Sequence, residues 1–162
     1  CRFGIEGGVD MTGRQVVIDP VIVDRARGML ERAHVLRDNA DGVPDDAERF
    51  RQYYLAALRA AGAALAVYEP RVIPVRSRRG SRSAWKRIGL LIPELAESAR
   101  RMDERSSTRM NIEAGLTRTV PPGDLHALRG ELLDLLDRAE SLVVAYEQGK
   151  LAHQRPAGIY TA

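Results

Sequence analysis

Six basic side chains fall within twelve positions of this sequence: Arg76, Arg78, Arg79, Arg82, Lys86 and Arg87. With Arg71 they put seven positive charges between Pro70 and Pro93, a stretch that contains no acid. Guanidinium forks pair bidentately with phosphate oxygens, and a lysine ammonium adds a point charge. Ser77, Gly80, Ser81 and Ser83 predict a loop running into a helix N-terminus, where unpaired backbone N–H groups also favour anions. The chemistry that suits such a segment is a grip on successive phosphates of RNA or another single-stranded nucleic acid. About six contacts of that kind make binding fall steeply with salt. Trp85 stands where loop meets helix. It either stacks on an unpaired base or opens the apolar stripe of its helix, and the spacing favours the stripe. An acidic protein partner, the acidic face of a sister subunit and plain solvation are the other uses open to this segment.

Other residue types offer less. His34, His126 and His153 are far apart and lack the paired spacing of metal ligands. Gly-x-Ser-x-Gly and Walker-type phosphate loops are absent from the sequence, and Cys1 has no neighbour that would activate it. Glu131, Asp134, Asp137 and Glu140 share a stretch with Leu132, Leu133, Leu135 and Leu136. The leucines take the inward positions, so those carboxylates are expected to form a solvated acidic face. No catalytic residue, metal site or cofactor is expected.

Composition narrows the classes further. The 162 residues are 44% apolar and 29% charged, which suits one globular domain rather than a disordered chain. A single cysteine excludes a disulfide framework. No apolar run approaches the roughly 20 residues that span a bilayer, and no long apolar segment marks a secretory signal. A cytoplasmic location, away from membranes, is therefore expected. The net charge of +3 hides two imbalances. Arginine outnumbers lysine 23 to 2, which fits either a GC-rich genome or selection for bidentate anion contacts. The stretch Pro122–Lys150 holds six acids against three bases, opposite in sign to the segment around Arg79.

The elements that must position the basic segment are helices. Asp19 as N-cap and Pro20 at the first position open a helix carrying Ile22, Ala26, Leu30 and Ala33, with Met29 and Leu36 beside them. Asp41–Pro44 breaks it. A second helix runs from Asp45 or Asp46 to Tyr68 along Phe50, Tyr54, Ala57, Ala61 and Leu65, and seven alanines between Ala56 and Ala66 invite a close neighbour. Trp85, Ile88, Ile92, Leu95, Ala99 and Met102 make a third stripe, which Pro93 should kink or split. A short helical piece is expected around Met110–Leu116, ending near Gly115. The last helix is expected to be capped within Pro122–Asp124 and to end at Gly149. Its stripe is Leu125, Leu128, Leu132, Leu135, Ala139, Leu142 and Tyr146. Short connections between such helices predict an all-α, antiparallel helical bundle of four to five helices. Residues 1–18 are expected to form a loosely ordered extension, with Met11 a candidate start, and residues 152–162 a C-terminal tail.

Ser83-Ala84-Trp85, then Ile92-Pro93-Glu94-Leu95-Ala96-Glu97, then Ile112-Glu113-Ala114-Gly115-Leu116 and the leucine-rich last helix resemble an actinobacterial family of HEPN-domain proteins. The resemblance covers roughly residues 19–151. It implies a HEPN-like helical bundle, often dimeric, whose relatives bind or cleave RNA or serve as partners in toxin systems. In the nuclease relatives an Arg precedes a His by four to six residues near the last helices. Here Arg118 precedes His126 by eight positions, which departs from that pattern. Arg27 and His34 have six residues between them but lie in the first helix. A non-enzymatic nucleic-acid-binding protein is therefore the expectation. A protein-interaction module, forming a homodimer or docking a replication, repair or toxin partner, is the alternative. A metal-independent ribonuclease using Arg27 and His34 stands third.

Overall fold

The computed structural model describes residues 8–9, 15–68 and 83–151. The expected C-terminal tail and most of the expected N-terminal extension lie outside the described residues. So do Arg71, Arg76, Arg78, Arg79 and Arg82. The body is an all-α bundle. Three long helices make its frame: α1 (Pro20–Asp41), α2 (Asp46–Tyr68) and α6 (Pro122–Glu147). Three short ones lie between α2 and α6: α3 (Ala84–Leu91), α4 (Ala96–Glu104) and α5 (Ser106–Glu113). A small antiparallel ladder pairs β1 (Gly8–Val9) with β2 (Gln15–Val16) ahead of α1. Val16 and Ile18, placed in the N-terminal extension from sequence, are buried.

Local signals set the helix ends. The Asp19 carboxylate accepts from the Val21 N–H at 2.9 Å, and Pro20 occupies the first turn, where a missing N–H costs nothing. Asp45 caps α2 by accepting from the Glu48 N–H at 2.9 Å. The Arg49 guanidinium closes the α1–α2 turn on the Val43 carbonyl at 2.9 and 2.7 Å. Pro93 splits the third stripe. Ile92 is extended (φ −126°, ψ 88°), as steric conflict with the following proline ring requires. Pro93–Leu95 then makes one 3-10 turn leading into α4.

Two helices end on glycines with positive φ, Gly115 at 74° and Gly149 at 69°. After α6, the Gly149 N–H reaches the Tyr146 carbonyl (3.0 Å) and the Lys150 N–H the Ala145 carbonyl (2.9 Å). That pair of bonds satisfies carbonyls the helix would otherwise leave open. After α5, Gly115 and Leu116 repeat it on Ile112 and Asn111. Two boundaries differ from the sequence reading. The short helix begins at Ser106 rather than near Met110. Asp124 lies in the first turn of α6 and caps nothing, because Pro121 precedes the helix and Pro122 has no N–H to satisfy.

The core forms around α2, which touches α1, α3, α5 and α6. Ala56, Ala57, Ala60, Ala61, Ala63 and Ala64 are all fully buried, so α2 is covered on most of its circumference. Small side chains let neighbouring helices approach its backbone. At Gly62 the approach is closest: a Cβ there would sit 2.8 Å from the Met29 sulfur on α1. Leu128, Leu132, Leu135, Leu136 and Val143 of α6 supply the bulk that the alanines lack.

Polar clasps fix the directions of the long helices. Asp41, at the end of α1, accepts from the Arg129 guanidinium at 3.0 and 3.1 Å and from the Tyr53 hydroxyl. At the other end, Arg27 donates to both oxygens of Glu147 at 2.7 and 2.9 Å, and the Tyr146 hydroxyl accepts from the Asp19 N–H. So α1 runs antiparallel to α2 and α6, whose N-terminal ends lie together. The return from α2 to α6 is made by the stretch that contains α3, α4 and α5.

Candidate nucleic-acid interface

Of the six basic residues singled out from sequence, Lys86 and Arg87 are described; both stand in the first turn of α3. Arg76, Arg78, Arg79 and Arg82 lie outside the described residues, and the structure does not place them beside the other two. Ser83 is the N-cap of α3. Its Oγ accepts from the Lys86 N–H at 3.3 Å, and its carbonyl from the Arg87 N–H at 3.1 Å. Lys86 is exposed, and its ammonium meets no carboxylate among the described residues. Arg87 is half-buried.

Trp85 fastens this turn to the core. It is 3% exposed, and its Nε1–H donates to the Tyr54 hydroxyl at 2.8 Å. The two rings meet edge to face, with centroids 6.0 Å apart and planes at 78°. The Arg109 guanidinium carbon lies 5.3 Å from the centre of the Tyr54 ring. Burial pushes the Tyr54 hydroxyl above its ordinary value, while the Trp85 hydrogen bond pulls the other way. Trp85 is a core residue and offers no face to a base, so base stacking drops out of the reading.

Nine arginines of the body are taken by carboxylates, whereas Arg25, Arg32, Arg59 and Arg118 are exposed and meet no carboxylate among the described residues. Arg27, Arg37, Arg51, Arg100, Arg101, Arg105, Arg109, Arg129 and Arg138 each pair with a carboxylate within 3.1 Å. The best covered pair is Arg105–Glu131, bidentate at 2.8 and 3.0 Å, with side chains 20% and 17% exposed. The expected solvated acidic face on α6 therefore needs correcting at Glu131. The leucines beside it do point inward, but α4 ends where Arg105 can cover the carboxylate. Hydrogen bonds from Arg51 hold Glu48 down at about 2, and those from Arg100 and Arg101 hold Glu97 at about 2. Asp41 is lowered chiefly by Arg129.

Arg27 and His34 face the acidic end of α6. The Arg27 fork is taken by Glu147, and His34 Nε2 lies 3.9 Å from Glu140. That pairing occupies the oxygen-binding edge that a ribonuclease would turn to phosphate. Arg118 and His126 are both exposed. Among the described residues, no group of three or more His, Cys, Asp or Glu side chains is arranged to hold a metal ion. No helix among them is long and apolar enough to cross a membrane. The sequence reading missed the ion pairs between helices, Arg105–Glu131, Arg129–Asp41 and Arg27–Glu147, whose partners are 26 to 120 positions apart, beyond the reach of any spacing rule.

Comparison with protein families places the chain. A family model described as SAV_6107-like HEPN matches residues 40–140, from the end of α1 into α6. The match spans more than half of the chain, and the chain belongs to that HEPN family. No curated protein and no solved structure gave a match.

Proposed function

We propose that this HEPN-family chain binds nucleic acid, RNA or single-stranded, through Arg76, Arg78, Arg79, Arg82, Lys86 and Arg87, and performs no catalysis. One observation carries the reading. The stretch from Pro70 to Pro93 holds seven basic residues and no acid in sequence, and within it Lys86 is exposed and meets no carboxylate among the described residues. The core-bound Trp85 gives Lys86 and Arg87 a fixed footing at the N-terminal turn of α3. Fluorescence anisotropy with a labelled single-stranded RNA tests it. Affinity should fall steeply between roughly 50 and 200 mM salt, and should collapse when Arg76, Arg78, Arg79 and Arg82 become alanine. Absence of binding at about 50 mM salt, or an unchanged affinity in that variant, refutes the reading.

A protein-interaction module is the second reading. Leu90, Met110 and Leu116 favour it, being large apolar side chains exposed at 66%, 63% and 78%. Sedimentation showing a monomer, together with no captured partner, would remove it.

A further inference from the structure

The outward side of α1 carries an ordered pattern of charge. Val21, Gly28 and Val35 recur every seven residues and so form one row along the helix. Val21 and Val35 are 56% and 53% exposed. A Cβ on Gly28 would meet no atom within 4 Å among the described residues, so the middle of the row is open. Arg25 and Arg32 flank the row on one side, Asp24 and Glu31 on the other. All four are exposed, and none meets an opposite charge among the described residues. Neighbouring contacts fix which side is which. Met29, between the two arginines, packs on Gly62 of α2. Arg27 and His34, three positions beyond the two acids, face Glu147 and Glu140 of α6. The adjoining helices continue the division: α2, on the basic side, carries exposed Arg59, and α6, on the acidic side, carries exposed Glu140.

We propose that this face of α1 is the seam of a homodimer in which two copies of α1 lie parallel, with Gly28 against the partner's Gly28. A two-fold axis running along the helices turns the basic flank of one copy onto the acidic flank of the other. Arg25 then meets the partner's Asp24 and Arg32 the partner's Glu31, each pair occurring twice by symmetry. An axis across the helices would give an antiparallel pair, with arginines set on arginines and acids on acids. Charge therefore selects the parallel arrangement. Gly28 lets the two backbones approach, and the valines fill the seam on either side of it. One helix face buries less area than a standard interface, so a dissociation constant on the order of 10–100 µM is expected. The inference is independent of nucleic-acid binding.

Sedimentation of the full chain from about 5 to 500 µM reads the association. Gly28→Gln adds bulk in open space, so it should melt no lower than the parent while the dissociation constant rises about tenfold or more. Arg25→Glu with Arg32→Glu should weaken the dimer similarly. Adding Asp24→Arg and Glu31→Arg to that protein exchanges the flanks and should restore association. With Cys1→Ser in place, Val21→Cys should be joined to a second copy by oxidised glutathione, because the parallel seam sets residue 21 on residue 21. A monomer throughout that range overturns the proposal. So does a dimer that Gly28→Gln leaves unchanged, that the flank exchange does not rescue, or that Val21→Cys fails to cross-link.

Discussion

Replacing Tyr54 with phenylalanine deletes one oxygen and keeps the ring against which Trp85 packs. The wild-type oxygen accepts the Trp85 indole N–H at 2.8 Å in a site where both side chains are buried. In Tyr54→Phe that N–H stays buried with no acceptor, since Trp85 cannot turn outward without leaving the stripe of Ile88, Ile92 and Leu95. A buried donor left unpaired costs about 1–3 kcal/mol, against less than about 0.5 kcal/mol for a surface change. For a chain of this size about 2 kcal/mol lowers Tm by roughly 4–8 °C. The edge-to-face contact survives, so the loss should fall well short of the roughly 3–5 kcal/mol expected for Trp85→Ala. Circular dichroism melts measure the Tm change. Trp85 is the only tryptophan, so its emission follows the same event in one residue. A Tyr54→Phe protein melting within about 1 °C of the parent would mean that the bond is not formed in solution. Lys86 and Arg87 would then lose their fixed footing.

Two more perturbations probe the frame. Asp41 is held below its ordinary value of 3.8, chiefly by Arg129, and Glu48 is brought from 4.5 to about 2, chiefly by Arg51. Folded-state values that are depressed give stability that is fully present above the ordinary value and is lost as pH falls through the folded one. Tm should thus hold above pH 4.5 and decline towards about 2, with a shallower decline in Asp41→Asn; equal slopes in the two proteins would exclude the Asp41 clasp as a cause. Gly149 sits at φ 69°, where a Cβ meets the following carbonyl. Gly149→Ala should cost about 1 kcal/mol in chemical denaturation with m unchanged, and an equal midpoint for both proteins would refute the C-terminal motif of α6.

The features legible in the sequence are those whose causes are local. Asp19-Pro20 opens α1, Pro93 breaks the third stripe and Gly149 ends α6, because a carboxylate, a ring or a missing Cβ acts within one turn. The heavy residues of each stripe were legible for the same reason, since burial follows the helical period. The burial of α2 around most of its circumference was less so: alanine is equally at home on a surface helix, and only the neighbours decide. The start of α5 at Ser106 was hidden because none of its residues is buried, so no stripe announces it.

Charge shows the limit most clearly. Arg105 follows Glu104 in sequence, yet its fork closes on Glu131; Arg129 is two positions from Glu131, yet it pairs with Asp41. The nearest acid along the chain was the wrong partner in both cases, because the packing of α1 and α4 on α6 brings a distant carboxylate into better geometry. The same holds in reverse for Arg27. It looked available for phosphate on α1 and is spanned by Glu147, 120 positions away. An acid-free stretch of sequence is therefore not by itself a free cationic surface. What raises the basic segment above Arg27 as a candidate is the exposed Lys86 on the first turn of α3. There the neighbouring core contact, Trp85 on Tyr54, is made by aromatic groups. A buried carboxylate in that position would have neutralised Lys86. An indole against a phenol holds the turn in place and leaves the ammonium's charge uncompensated among the described residues.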